Sequence, residues 1–415
     1  MQFARGFQAV FFSICALGSA DGAELIEAGG PVSGGGFGGP SSVEEQLAED
    51  RLTREEVSRF QVFDEFLEPW FGFKEGLREE IGLTLGFDYT TLLMWASSSS
   101  GEKRGFGGIG RMFGTWALVD RDGPYAGSLV FKGENRHRLG TDVAPQNLGF
   151  ASGYSGIPGT AFSDYGWGVT NLFWRQGLGE RLNLIVGVVD VTDYLDVYGL
   201  VNPWTQFQNL AFLTDPTIPA PNQGLGAAMG GMLGEHVYFI GGFADANGDP
   251  TRSPFRSFGE GEFFKHVELG WVSSYDRRFF DNVHVTAWHV DERTDAGVPS
   301  GWGVAMSASR FINERWMPFV RAGYGDGDAP LWSHSVSAGV GRYFTGSKDL
   351  AGLGVNWGKP ADSSLEHQWT SELFYRFQAA QNLALTPSVQ LIGNPALNPE
   401  KDVLVYFGLR GRVTF

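Results

Sequence analysis

Apolar residues recur at every second position from residue 81 to the end of the chain. The first series begins with Ile81, Leu83 and Leu85 and reaches Trp95, with mostly small or polar residues between its members. This period is typical of a β-strand with one apolar face, and the run is longer than a soluble strand of about 5–6 residues. The pattern predicts sixteen strands, at residues 81–95, 104–119, 124–138, 164–176, 180–190, 223–233, 236–245, 260–273, 279–292, 301–313, 315–325, 332–344, 348–357, 367–378, 382–392 and 403–415.

The connections between these strands alternate in length. Tight turns such as 177–179 and 345–347 alternate with mostly longer loops such as 139–163 and 191–222. A weaker apolar piece at 207–213 stays within a loop, because a single-chain bacterial barrel has an even number of strands. Short turns on one side and long loops on the other are typical of outer-membrane barrels. The sequence therefore predicts an all-β fold, a sixteen-stranded antiparallel transmembrane β-barrel at 80–415.

Composition supports this fold and excludes other classes. Glycine contributes 60 of 415 residues, about twice its ordinary share, as expected where strands must curve tightly. The formal net charge of −16 argues against nucleic acid as a partner, because phosphate binding needs a basic surface. The last strand alternates up to Phe415, which predicts recognition by the barrel insertion machinery.

The N-terminal region has a different pattern. Residues 1–20 have the basic start, apolar run and small-residue end of a signal peptide, and they hold the one cysteine, Cys15. A Gly-rich linker is predicted at 21–40 and a short helical, periplasmic segment at 41–79, where Pro69 should break or restart the helix. The acidic run within this segment has two interpretations, a solvated helix face or a surface for self-association.

Several stretches in one order resemble the carbohydrate-selective porins of the OprB family, over about residues 63–415. They are SLVFKGENRHRLGTD (128–142), VDVTDYLDVY (189–198), NPWT (202–205), WHVDER (288–293), GVNW (354–357), ELFYRF (372–377) and NPALNP (394–399). The resemblance implies a sixteen-stranded channel for passive diffusion of small, glucose-like sugars across the outer membrane of a Gram-negative bacterium. The segment 29–59 is not part of the pattern.

That function implies no enzymatic activity and no cofactor. The expected partners are sugars, outer-membrane lipid and lipopolysaccharide, with a homo-oligomer also compatible with the fold. The alternative is a general or anion-preferring porin for other small solutes, because most of the inward charges are basic. An outer-membrane barrel enzyme would need a cluster of nucleophilic or acid–base residues at one rim, which the alternation does not produce.

The third strand predicts a row of charges inside the barrel. Its apolar face includes Leu129 and Phe131, which places the charged residues on the lumen side, because a basic residue facing lipid near the midplane costs roughly 2–4 kcal/mol. Such a row can exchange hydrogen bonds with successive sugar hydroxyls, or it can merely stiffen the wall. The predicted substrate-channel residues are Arg111, Lys132, Glu134, Arg136, Arg138, Arg321, Glu372, Arg376, Arg410 and Arg412.

The loop at 191–222 is the predicted constriction. It is too long for a simple turn, and folded inward it could set acidic groups against wall arginines and an aromatic ring against a sugar. The alternative is a loop that caps the barrel mouth. The residues expected to act in it are Asp193, Asp196, Trp204 and Phe207.

A weak metal signal lies further along the chain. Asp245, Asn247 and Asp249 have the alternate oxygens of a Ca²⁺ loop but lack its downstream glutamate, so a plain turn is favoured. The histidines have no metal-binding spacing, and His284 is expected to be a polar lumen group.

Overall fold

Sixteen antiparallel strands close into one barrel in the computed structural model, which describes residues 36–56, 64–344 and 348–415. Each strand pairs with its neighbours in the chain, and β16 pairs with β1 to close the barrel. The predicted signal peptide, most of the predicted linker and the turn at 345–347 lie outside these residues. The prediction of a sixteen-stranded antiparallel barrel is confirmed.

The strand bounds follow the predicted segments closely. They are β1 Leu83–Ala96, β2 Arg104–Val119, β3 Gly127–Arg138, β4 Gly166–Gly177, β5 Leu182–Val189, β6 Gly224–Met232, β7 Val237–Asp245, β8 Phe263–Val272, β9 Asn282–Val290, β10 Gly301–Ser309, β11 Trp316–Asp326, β12 Trp332–Tyr343, β13 Leu350–Pro360, β14 Gln368–Ala380, β15 Leu383–Gly393 and β16 Val403–Thr414.

The two faces of the wall follow the alternation of the sequence. In β1, Thr90 and Leu92 point into the barrel and are buried, whereas Leu93 and Trp95 lie on the outer face and are exposed. The exposed apolar side chains form the lipid-facing surface. The interior holds polar groups together with large apolar side chains, so much of the lumen is filled.

Four α-helices accompany the barrel in the described part of the chain. They are α1 Val43–Glu56, α2 Asp64–Ile81, α3 Leu148–Ser152 and α4 Pro254–Phe258. No helix within these described ranges combines the length and the apolar character that crossing a membrane requires.

The predicted break at Pro69 was wrong, since α2 runs through this residue. Pro69 lies in the second turn and has no N–H, so one backbone hydrogen bond to the first turn is missing. Contacts with the barrel hold the helix in place. Ile81, predicted as strand, is the last residue of α2. Gly82 then takes a positive φ of 74°, a conformation that glycine adopts without strain, and the chain reverses into β1.

Candidate functional site

The connection between β5 and β6, residues 190–223, lies inside the barrel and not over its mouth. Phe207 packs on Phe319 of β11 and Phe374 of β14, with ring centres 5.9 and 4.9 Å apart. Tyr198 packs on the same Phe319 ring at 5.0 Å. Because β11 and β14 belong to the wall opposite β5, the loop crosses the lumen.

Two charged residues of the wall bind the backbone of this loop. Arg410 donates to the carbonyl oxygens of Pro203 and Gln206, both at 2.7 Å. The carboxylate of Glu372 accepts from the backbone N–H groups of Gln208 and Asn209 at 2.9 and 2.8 Å. Both Arg410 and Glu372 point inward as predicted, and both hold the loop in place.

Asp196 connects the loop to two further strands. Its carboxylate accepts a hydrogen bond from Arg321 of β11 and lies 3.2 Å from Nε2 of His284 of β9. Arg321 also donates to the carbonyl oxygen of Leu213. All these side chains are buried, so Asp196 and Arg321 form an ion pair inside the barrel, and His284 is the polar lumen group that was expected.

Arg111 contacts both an acid and an aromatic ring. Its Nε donates to Asp88 of β1 at 2.8 Å, and its guanidinium carbon lies 3.8 Å from the centre of the Trp204 ring. This arrangement is a cation–π contact in a buried setting. One face of Trp204, expected to stack on sugar, is therefore covered by Arg111.

Three of the four charged residues predicted in a row on β3 lie on the inner face and form ion pairs. Lys132 lies 3.1 Å from the carboxylate of Asp193, and Arg136 lies 2.6 Å from that of Glu134. These side chains are buried. Arg138 is instead exposed at the end of the strand, where it pairs with Asp164 at 2.6 Å.

Helix α1 also lies inside the barrel, at the end that holds the short turns and the end of β16. Four of its acidic side chains pair with arginines of the wall. The pairs are Glu44 with Arg175 at 2.9 Å, Glu45 with Arg278, Glu49 with Arg376 at 2.7 Å, and Asp50 with Arg412 at 2.9 Å.

These pairs correct the interpretation of the acidic run as a solvated helix face. That interpretation was wrong for these four acids, because they pair inside the barrel with arginines of β4, β14, β16 and the β8–β9 turn, which the local sequence does not reveal. The segment before α1 contacts the β5–β6 loop as well, since Gly39 N donates to the Asp193 carbonyl oxygen at 2.6 Å. The loop and the N-terminal segment therefore share the interior of the barrel.

A cavity of about 1060 Å³ remains beside α1. It extends from the short turns at the periplasmic end up to Asp190 and Asp193 of the loop. Its wall includes polar side chains that carry hydrogen-bond donors and acceptors, among them Asn171, Arg175 and Asn183. Such a wall can offer hydrogen bonds to a polar solute that carries no net charge.

The carboxyl group of Asp193 titrates in an unusual range. Burial raises its pKa to about 7, although Lys132 and Asn171 act to lower it. Asp193 lies on the cavity wall at the start of the loop, so its charge changes near neutral pH at the point where the loop meets the cavity.

The segment with the weak Ca²⁺ signal, residues 245–249, forms a turn. Asp245 accepts from Asn247 N at 2.9 Å and from Ser257 Oγ at 2.6 Å. Asp249 accepts from the backbone and hydroxyl of Thr251 at 2.9 and 2.6 Å. The described residues contain no group of three or more His, Cys, Asp or Glu side chains placed to hold a metal ion.

Sequence reasoning missed two wall carboxylates. Asp88 pairs with Arg111 and also accepts from Arg412 Nε at 2.8 Å. Glu268 accepts from Asp196 N at 2.8 Å and from Tyr238 OH at 2.8 Å. The alternation of β1 and β8 places both residues inward, so the same rule that selected the arginines could have found them.

Comparison with known proteins gives one family. The family described as "Carbohydrate-selective porin, OprB family" matches residues 134–415. No curated protein matches the chain.

Solved structures of outer-membrane barrels resemble the chain in fold. The high-pH structure of Pseudomonas putida OprB is 14% identical, with a TM-score of 0.69, and the match covers 83% of this chain and 97% of that one. Its low-pH structure is 12% identical, with a TM-score of 0.50, covering 87% and 99%. A mutant of Rh. blastica porin is 11% identical, with a TM-score of 0.52, covering 80% and 100%.

Proposed function

The chain belongs to the OprB family of carbohydrate-selective porins, and we propose that sugars cross it along the charge-compensated lumen and the cavity beside α1. As a member of this family, the protein is a channel of the Gram-negative outer membrane for carbohydrates. Its family and fold are those of channel proteins rather than enzymes.

The observation that carries the choice of a neutral sugar is the pairing of the lumen charges. Arg111, Lys132, Arg136 and Arg321 are buried and each lies against a carboxylate. A lumen of paired charges does not concentrate anions as isolated arginines would, but its donors and acceptors can replace water around sugar hydroxyls. This favours a neutral, glucose-like solute over the alternative of an anion-preferring porin.

The loop at 190–223 is the proposed constriction. It crosses the lumen, and Arg321, Glu372 and Arg410 hold its backbone at several points. A loop held in this way keeps a fixed shape during permeation, which selective passage requires. In this proposal Arg111, Arg136 and Trp204 contact the solute beside the loop, whereas Asp193 acts where the loop meets the cavity.

Single-channel recording in planar bilayers tests the proposal. A panel of neutral sugars should reduce the ion current in a concentration-dependent and sugar-dependent way, while the reversal potential in a salt gradient shows weak ion preference. Current that no sugar blocks, together with a strong anion preference, would instead identify an anion-preferring general porin.

Insertion through the C-terminal strand is a further part of the proposal. β16 alternates apolar and inward residues up to its end, and Phe415 N donates to the Phe87 carbonyl oxygen at 2.8 Å. The terminal aromatic side chain lies partly exposed on the outer face. An exposed apolar strand end is available to the insertion machinery before the barrel closes on β1.

A further inference from the structure

Helix α2 lies on the outer face of the barrel, whereas α1 lies inside. The ring of Trp70 contacts that of Phe87, with centres 5.6 Å apart, and Phe87 belongs to the outward row of β1. Lys74 donates to the carbonyl oxygen of Phe415, and Trp116 Nε1 donates to the carbonyl oxygen of Ile81 at 3.1 Å. The helix therefore packs against the lipid-facing side of the β1–β16 junction.

The sequence of α2 has two different faces. Phe66, Trp70, Phe73, Leu77 and Ile81 follow helical spacing and form one apolar face. The opposite face carries Glu68, Glu75 and Glu79.

The barrel covers only part of the apolar face. Phe66 is 82% exposed and Phe73 is 55% exposed, although Trp70 between them contacts the wall. The Phe73 ring stacks on that of Trp70 with centres 5.7 Å apart, and Trp70 contacts the outward Phe87 of β1, so the apolar face of α2 continues the apolar surface of the barrel. Exposed aromatic rings in such a position are typical of the membrane interface.

The position of α2 along the barrel axis follows from its connection to β1. α2 ends at Ile81, one residue before the Gly82 turn that leads into β1, and it contacts the C-terminal Phe415. The start of β1 and the end of β16 lie on the side of the short turns, which is the periplasmic side of such barrels.

We propose that α2 lies in the interfacial region of the periplasmic leaflet, with phospholipid acyl chains as the partner of Phe66 and Phe73. The glutamates of the opposite face then lie toward the headgroups and water. Because the face toward the headgroups is acidic, binding of α2 to the membrane depends on the contact of its apolar face with acyl chains. It does not require anionic lipid. This inference concerns the attachment of the chain to lipid, and it does not depend on the solute that the channel carries.

Site-directed spin labelling of the full-length protein tests the proposal. Cysteine is introduced one position at a time at Phe66 and Phe73, and at the matched control positions Glu68 and Glu75, in a Cys15→Ser background. Each variant is reconstituted into phosphatidylcholine vesicles, and its folded state is verified by heat-dependent gel mobility. If Phe73→Cys does not fold, Ile81→Cys replaces it.

Labels at Phe66 and Phe73 should collide more with oxygen than with a water-soluble nickel complex, whereas labels at Glu68 and Glu75 should show the reverse preference. The contrast should persist in high salt and without anionic lipid. The proposal fails if all labels prefer the nickel complex. It also fails if shielding of Phe66 and Phe73 depends on protein concentration, which would indicate a second copy of the chain.

Discussion

The guanidinium of Arg412 donates two hydrogen bonds, of 2.9 and 3.0 Å, to the carboxylate of Asp50. Arg412 belongs to the last strand and Asp50 to the first described helix, so these two elements meet inside the barrel. The same guanidinium also binds Asp88 of β1 at 2.8 Å. Asp50 and Arg412 therefore fix α1 to the wall at the point where the barrel closes.

Weakening the attachment of α1 should widen the periplasmic end of the channel. The double variant Glu49→Gln, Asp50→Asn removes the charge from the pairs with Arg376 and Arg412, and charge-assisted hydrogen bonds are roughly twice as strong as neutral ones. We expect a higher single-channel conductance with larger fluctuations. The control double variant Glu79→Gln, Glu80→Gln removes the same amount of charge from α2, outside the barrel. Equal conductance in both variants would show that α1 does not limit the current.

Shortening the loop should open the middle of the lumen. Deletion of residues 202–215 removes Trp204, Phe207 and Phe212, which are buried inside the barrel. We expect conductance to rise and sugar block to weaken in planar bilayers. Deletion of the exposed residues 294–297 in another loop is the control. If conductance after the 202–215 deletion stays at the wild-type level, the loop is not the constriction.

Arg111 and Arg136 test whether the row of charges binds sugar. A hydrogen bond to a charged group contributes roughly 1.5–3 kcal/mol, so Arg111→Ala or Arg136→Ala should weaken sugar block about tenfold or more where the guanidinium contacts sugar. Arg111→Lys keeps the charge but loses the paired hydrogen bonds and the planar contact with Trp204. If both alanine variants retain wild-type block, the row serves only to stiffen the wall.

The raised pKa of Asp193 predicts a pH dependence of stability. Burial raises this pKa to about 7, whereas the unfolded chain has a value of about 3.9. Between these values the folded protein keeps a proton that the unfolded chain has lost, so this carboxyl lowers the free energy of unfolding as the pH rises from about 4 to about 7.

Thermal unfolding in detergent at several pH values measures this effect. Asp193→Asn should flatten the decline of stability over this range, whatever the absolute cost of leaving Lys132 without its carboxylate partner. Asp295→Asn, at an exposed loop position, should follow the wild-type curve. A slope that Asp193→Asn leaves unchanged would assign the pH dependence to other groups.

The C-terminal residue should control insertion. Deletion of Phe415, or Phe415→Asp, should lower the amount of folded protein in the outer membrane while synthesis continues, as measured by membrane fractionation and heat-dependent gel mobility. Phe415→Trp keeps an apolar aromatic ring and should insert normally. Wild-type amounts of Phe415→Asp in the membrane would rule out the terminal ring as a signal.

The wall of this protein could be predicted from sequence because its rule is local. Alternation in each strand determines which residues face lipid and which face the lumen, and it placed Arg321, Glu372 and Arg410 inside correctly. The contents of the lumen could not be predicted in the same way. Glu49 and Arg376 are separated by 327 positions, and no local pattern indicates that they pair.

Helix α2 shows a second limit of prediction from sequence. The apolar spacing of Phe66, Trp70 and Phe73 indicates an amphipathic helix, but it does not say which surface the helix meets. Pro69 predicted a break that the helix avoids, since packing on the barrel offsets the loss of one backbone hydrogen bond. Tertiary contacts decided the outcome in both cases.

The attachment of the β5–β6 loop has a consequence for the order of assembly. The backbone of Gln208 binds Glu372, 164 positions later, and its side chain binds Arg410, 202 positions later. Contacts between such distant parts of a chain form slowly, and these partners come from the last three strands to be synthesised. The loop therefore cannot reach its final position until β14 and β16 have joined the wall, which couples the width of the channel to completion of the barrel.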